Sequence, residues 1–254
     1  VSSAAYDMAG LVWTLDANGK PGPATKYSFL GDKKTGLAHT RTDYPSVTYM
    51  STPYDVNDAG VVVGMSVYTD STDIRYNPRN FRDEVFTANQ ATIFQGTELT
   101  TFFDIKEWEG SRATAINNKN IIVGSAVKRV NYDPERFFVY DMNTQKITFP
   151  KDLFSSASVL PAAINNNNQV VGITQSYTDG SSTIRQVGFW YDLTTDSFQD
   201  LNKLLPCNSG YTIIAAQDIN DKNVIVATAI KKTEVRDSKG EIVKDAAGNA
   251  IIEE

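Results

Sequence analysis

The sequence predicts an all-β, β-propeller-like array of four-stranded meander repeats, with about four or five blades. Three observations predict it. A hairpin-like core recurs four times, a second aromatic hairpin follows most copies, and the apolar runs are β-branched with no helical period. The cores are residues 54–64 (YDVNDAGVVVG), 115–124 (AINNKNIIVG), 163–172 (AINNNNQVVG) and 218–227 (DINDKNVIVA). Their anchor asparagines, Asn57, Asn117, Asn165 and Asn220, are spaced 60, 48 and 55 residues apart. Periods of roughly 40–50 residues belong to propellers and repeat arrays.

Each core reads as a hairpin. A short strand ends in Val or Ile. An Asn/Asp-rich turn follows, because these side chains bond their own main chain and tolerate left-handed backbone. An aliphatic strand then closes on a small residue, Gly124, Gly172 or Ala227, as expected where strands crowd toward a central axis. The second hairpins are 91–94 turning at 95–96 into 98–103, 137–141 turning at 142–145 into 146–149, and 188–192 turning at 193–196 into 197–199. The N-terminus carries only a second half-unit, residues 11–29, turning at 17–19. The last unit has a first hairpin and then an extension, residues 236–254. The two ends are therefore complementary halves, and the expectation is one domain, 1–254, whose ring closes by pairing them. Asp237 and Asp245 each precede a Gly by three residues, which suits further hairpin turns.

These units resemble the HAF-type extracellular repeat proteins, whose repeat has the form Ala-x-x-Ile-Asn-x-x-Gly-x-Val-Val-Gly followed by an aromatic strand. The run 54–64 and the tail 237–249 look more specifically like a proteobacterial branch of unknown function. The resemblance covers most of residues 50–250. It implies an exported, β-rich protein of the cell surface or periplasm, and it carries over no catalytic residue. Lys119, Asn167 and Lys222 stand near positions where that family often has Gly, and Ala227 replaces its final Gly.

Composition excludes several classes. The net charge of −6 argues against a nucleic-acid binder, which needs positive surface to displace counterions, and against a polybasic membrane-surface protein. No apolar run approaches the roughly 20 residues that span a bilayer, so no membrane insertion is expected in this segment. Cys207 is the single cysteine, which rules out an internal disulfide. His39 is the single histidine, which rules out multi-histidine zinc sites. No basic stretch followed by an apolar core opens the chain. Val1 follows no initiator Met and residues 251–254 read as an interrupted strand, so a processed or truncated product with its leader removed is expected.

Chemistry-bearing patterns are few. His39 lies in a loop-like stretch with no nucleophile elbow nearby, and Cys207 follows a Leu-Leu-Pro run as a small structural residue would. Asp55 and Asn57 partly match a calcium loop, but the fifth-position oxygen is missing and Ser66 stands where a bidentate Glu belongs. An Asx-type hairpin turn accounts for them and also explains the three sister segments, which lack the other ligands. Asp83/Glu84 and Glu107/Glu109 are acidic pairs of the kind glycoside hydrolysis needs, though sequence neighbours are usually solvated. No dinucleotide or phosphate-loop fingerprint occurs, and no cofactor is indicated.

The loops joining the two hairpins of a unit are more distinctive. Residues 76–81 and 132–137 share Tyr-Asn/Asp-Pro-x-x-Phe, and the first is flanked by Arg75 and Arg82. Arg75, Tyr76, Arg79, Phe81 and Arg82 are the candidate ligand-binding residues, since arginine interleaved with aromatics can stack on a sugar or grip an acidic group. A repeated structural turn is the alternative reading. The expectation is a non-enzymatic binding or assembly scaffold taking a glycan, a peptide or another surface protein. The alternatives are a hydrolase or lyase acting on extracellular polysaccharide through paired carboxylates, and an architectural subunit of a cell-surface assembly.

Overall fold

The computed structural model describes residues 8–31, 49–77, 82–96, 98–128, 133–150, 158–177, 184–207, 209–231, 233–245 and 252–253. Its framework is local turn chemistry used repeatedly. Asp16, Asn57, Asn117, Asn165, Asn220 and Asp237 each anchor a turn in which the anchor N–H donates to the carbonyl four residues on, while the residue three on donates to the anchor carbonyl. In every one the anchor side-chain oxygen also accepts the N–H four residues on. The residue three on is left-handed: Gly19, Gly60, Asn120, Asn168, Asn223 and Gly240, with φ from 61° to 81°. This is a type I turn followed by a left-handed bulge residue, a favoured hairpin connection. The left-handed position of the middle turns is thus filled by asparagine, which tolerates it, and not by Lys119, Asn167 or Lys222.

These turns and the aromatic hairpins generate β1 (Leu11–Val12), β2 (Thr25–Lys26), β3 (Ser51–Val56), β4 (Val62–Asn77), β5 (Arg82–Gln95) and β6 (Glu98–Thr101). There follow β7 (Gly110–Ile116), β8 (Ile121–Val127), β9 (Arg136–Asp141), β10 (Lys146–Thr148), β11 (Ser158–Ile164), β12 (Gln169–Tyr177), β13 (Ile184–Asp192) and β14 (Ser197–Asp200). A 3₁₀ turn, Leu201–Leu204, leads to β15 (Tyr211–Ile219), β16 (Ile225–Lys231), β17 (Thr233–Glu234) and β18 (Ile252–Glu253). The architecture is all-β. Strands β3–β6, β7–β10 and β11–β14 form three four-stranded antiparallel meanders, each in chain order. The pairs β1–β2, β15–β16 and β17–β18 are separate two-stranded sheets. The described strands therefore do not pair the two end halves with each other. In the extension, Arg236 bridges to Ile242 around the Asp237 turn.

The first strand of each unit carries a register shift just before its turn, at Pro53/Asp55, Ala113/Ala115, Pro161/Ala163 and Ala216/Asp218. The shift explains the small residue that closes each core. A Cβ on Gly64 would lie 2.0 Å from the Thr52 carbonyl oxygen, on Gly124 2.0 Å from that of Arg112, and on Gly172 2.2 Å from that of Leu160. The crowding comes from the bulged partner strand, not from a central axis. In the fourth unit Ala227 takes the glycine's place opposite Ala216, and β15 has a second shift at Ile213/Ala215.

Successive units pack through alternating faces of their second strands. Val63 of β4 joins Ala113 and Ile116 of β7 in one core cluster, which Phe103, Trp108 and Phe138 enlarge. Val123 of β8 joins Val159 and Ile164 of β11, with Phe137, Phe189 and Tyr191. Val171 of β12 joins Ala216 and Ile219 of β15. At the front, Tyr27 after β2 packs on Val62 and Phe94, and Gly10 N–H donates to Ser51 Oγ at 2.8 Å.

Candidate binding cleft

The asparagine turns lie at one end of the sheets, and their side chains tie the units together. Asn57 Nδ2 donates to Asn117 O and Asn120 Oδ1. Asn117 Nδ2 donates to Asn165 O and Asn168 Oδ1. Asn165 Nδ2 donates to Asn220 O and Asn223 Oδ1. A parallel rail runs through the next residue: Asp58 N–H donates to Asn118 Oδ1, Asn118 N–H to Asn166 Oδ1, and Asn166 N–H to Asp221 Oδ1. The hydrogen bonds from Asn166 hold the Asp221 carboxyl below the usual range. Asn57, Asn117 and Asn165 are buried, so each amide must be satisfied, and it is.

The two calcium candidates belong to this ladder. Asp55 accepts the Val56 N–H on Oδ1 and, across the unit boundary, the Ile116 N–H on Oδ2. Asn57 Oδ1 accepts the Val61 N–H. Their oxygens face backbone donors, the arrangement of an Asx turn. Among the described residues, no three His, Cys, Asp or Glu side chains gather as a metal site.

The strand ends away from the turns form a cleft of about 430 Å³ at the seam between the first two meanders. Phe86, Asn89, Glu109, Arg112, Ser125 and Glu135 are among its walls. Arg75 sits at its edge. The guanidinium lies 3.6 Å from the Phe86 ring centroid, 2.7 Å from Asp73 and 2.7 Å from Glu109. The Asp73 hydrogen bond first, and the Glu109 bond after it, outweigh partial burial and raise its pKa above the ordinary arginine value. On the opposite wall, Arg112 lies 2.7 Å from Glu135, which also accepts from Ser125 Oγ at 2.5 Å. Glu135 N–H donates to Ser158 Oγ, so this carboxylate's backbone is fixed by the third meander.

A buried polar network backs the same seam. Gln90 donates to Trp108 O and accepts from Ser111 Oγ, whose oxygen accepts the Ala91 N–H. Asp70 is 1% exposed. Burial pushes its pKa up, but hydrogen bonds from Thr72 and the Lys106 ammonium 3.5 Å away win, and the carboxyl titrates below the usual range.

Of the five ligand-binding candidates, Arg75 and Tyr76 have described side chains. Arg75 is committed to its ion pairs, and Tyr76 is 60% exposed. The Arg82 backbone pairs with Asn77. Arg79, Phe81 and His39 lie outside the described residues, as does Tyr132 of the second loop. Cys207 is exposed, at the wall of a separate hollow beside β15. Glu109 came from the acidic pairs and Glu135 from the repeated loop. Phe86, Arg112 and Ser125 carried no sequence signal, because what marks them is a contact between units.

The chain belongs to the DUF3466 family, proteins of unknown function, whose model matches residues 1–254. No curated protein matches it.

Proposed function

We propose that this DUF3466 member is a non-enzymatic binding scaffold of an exported bacterial protein, acting at the cell surface, outside the cell or in the periplasm. Support for export comes from the resemblance to HAF-type repeats. Support for binding comes from one observation: the seam cleft pairs a flat cation-stacked platform, Arg75 on Phe86, with fixed polar groups, Asn89, Arg112, Ser125 and Glu135. Such a surface suits a sugar ring or the polar face of a peptide, where stacking supplies affinity and preset hydrogen bonds supply orientation. A propeller-like closure of the array belongs to the same proposal.

The hydrolase reading has one point in its favour, since Glu109 and Glu135 line the same cleft. Each is engaged by an arginine at 2.7 Å, whereas a glycosidase acid needs a carboxyl free to carry a proton. A glycan and peptide array probed with the wild type, an Arg75→Ala/Arg112→Ala variant and the triple Arg75/Arg79/Arg82→Ala variant tests the binding reading. Retention of a defined probe class by the wild type and its loss in folded variants is expected. No retained probe, or a binding profile that both variants leave unchanged, overturns it.

A further inference from the structure

The seam between the third meander and the fourth hairpin opens into a hollow of about 590 Å³. It is the counterpart, in the repeat, of the seam cleft. Asn89 of β5 stands three residues before Thr92, the partner of Gly64, and Gln186 of β13 stands three before Phe189, the partner of Gly172. Each lines its own opening, and the starts of β7 and β15, Gly110 and Tyr211, form the opposite walls. The hollow is held in shape from two sides. β13 and β15 close on each other at Gly188, where a Cβ would lie 2.7 Å from Ile213 Cγ2 and 3.1 Å from the Ala215 carbonyl carbon. Asn202, in the 3₁₀ turn, clamps β15 through both main-chain groups of Ile213. Its Oδ1 accepts the Ile213 N–H at 2.6 Å, and its Nδ2 donates to the Ile213 carbonyl at 2.9 Å.

Charge separates the two openings. In the seam cleft Arg75 and Arg112 are each met by a carboxylate at 2.7 Å. In the hollow, Arg185 and Lys203 have no ion pair among the described residues, and none of the described residues lining it is acidic. The Asp200 carboxylate beside it caps the 3₁₀ turn, accepting the Asn202 N–H at 2.9 Å. A third cation reaches the rim: Lys231 Nζ lies 5.6 Å from the centroid of the Tyr211 ring, which is part of the wall. In a chain with 24 basic residues against 30 acidic ones, this concave surface gathers cations without neutralising them. Such a surface focuses positive potential into the space it encloses.

We infer that the hollow is a second binding site and that it takes a carboxylate-bearing sugar. Arg185 offers the planar fork that grips a carboxylate through two parallel hydrogen bonds. Lys203 adds a second charge. Gln186 supplies both donor and acceptor atoms for ring hydroxyls, and the Tyr211 ring supplies apolar surface. The volume fits the roughly 300–1,000 Å³ of small-ligand sites. The same carboxylate in the seam cleft would face Glu109 and Glu135, so the two seams divide ligands by charge. The hollow and the seam cleft share no residue, so either reading can fail without the other.

Cys207, the single cysteine, is exposed in the same wall and reports on the site without any substitution. Its alkylation by iodoacetate, an anion, and by iodoacetamide, the neutral analogue, is compared in the folded chain and in urea. The ratio of the two rates cancels the reactivity of the thiol itself and reads the local potential. Folding is expected to raise that ratio at least about threefold, and Arg185→Gln/Lys203→Gln to remove the gain. Both side chains are exposed, so the variant is expected to fold, and circular dichroism checks it. Glucuronate is expected to slow iodoacetamide saturably in the wild type, while glucose and sodium chloride at matched ionic strength leave the rate unchanged. These wild-type arms need no variant. A folded ratio equal to the unfolded one overturns the electropositive site. No slowing by glucuronate, or slowing that glucose or sodium chloride matches, overturns the carboxylate-bearing sugar as its ligand.

Discussion

Asparagine and aspartate are not equivalent at the turn anchors, although either can accept the hydrogen bonds that shape the turn. Asp16 and Asp237 anchor outlying turns and use only acceptor atoms. Asn57, Asn117 and Asn165 must also donate to the following unit, which a carboxylate cannot do. In Asn117→Asp, a buried charge would face Asn165 O and Asn168 Oδ1 with no proton between them. A loss of about 3 kcal/mol is expected in urea unfolding, with Asn220→Asp near zero in dilute protein. Equal losses at both positions would dismiss the ladder as a source of stability. Asp70 gives a pH signature. Burial opposes its charge, but the Thr72 hydrogen bonds and Lys106 hold its folded pKa below that of a free aspartate, so its contribution is complete above the free value and is lost as pH falls through the lower folded one. Asp70→Asn is therefore expected to lower stability at neutral pH and to flatten the acid limb of the stability profile. An acid limb identical to the wild type's would rule Asp70 out as its source.

The hairpins were legible because their causes are local. An Asx anchor with Gly or Asn three residues on needs no tertiary contact to form its turn, and the four cores and three aromatic hairpins appear where the sequence places them. What depends on pairing was not legible. The glycine closing each core suggested crowding at an axis, yet its cause is the bulge in the neighbouring strand, and a bulge leaves no pattern in its own sequence. Likewise Arg75 reads as a free cation until Glu109, from another unit, is brought against it. The bulge makes a sharp prediction. Gly124→Ala forces a Cβ within 2.0 Å of a carbonyl oxygen and against the Phe138 ring, so β7 must shift or the sheet must open. The expected cost is about 3 kcal/mol, at the upper end for overpacking, read as a fall in the midpoint of thermal unfolding. The reverse change, Ala227→Gly in the fourth unit, relieves no clash and is expected to cost under about 1 kcal/mol. A benign Gly124→Ala would refute the bulge as the reason for glycine.

At the scale of the whole molecule, stability is distributed along a line. The inter-unit contacts run from β3, β4 and β5 to β7, from β7, β8 and β9 to β11, and from β11, β12 and β13 to β15, with each core cluster shared by two successive units. In such an array each unit's stability is its own plus that of its interfaces, so units with two neighbours outlast units with one. The second and third meanders have two. Among the described residues the fourth hairpin has one, and the buried cluster it shares is the smallest of the three, Val171, Leu201, Ala216 and Ile219. Native-state hydrogen exchange should therefore order the strands: β8 and β12 slowest, β16 fastest, even though β15 and β16 are fully paired with each other. Uniform protection across the array would mean one cooperative unit and would refute the linear picture.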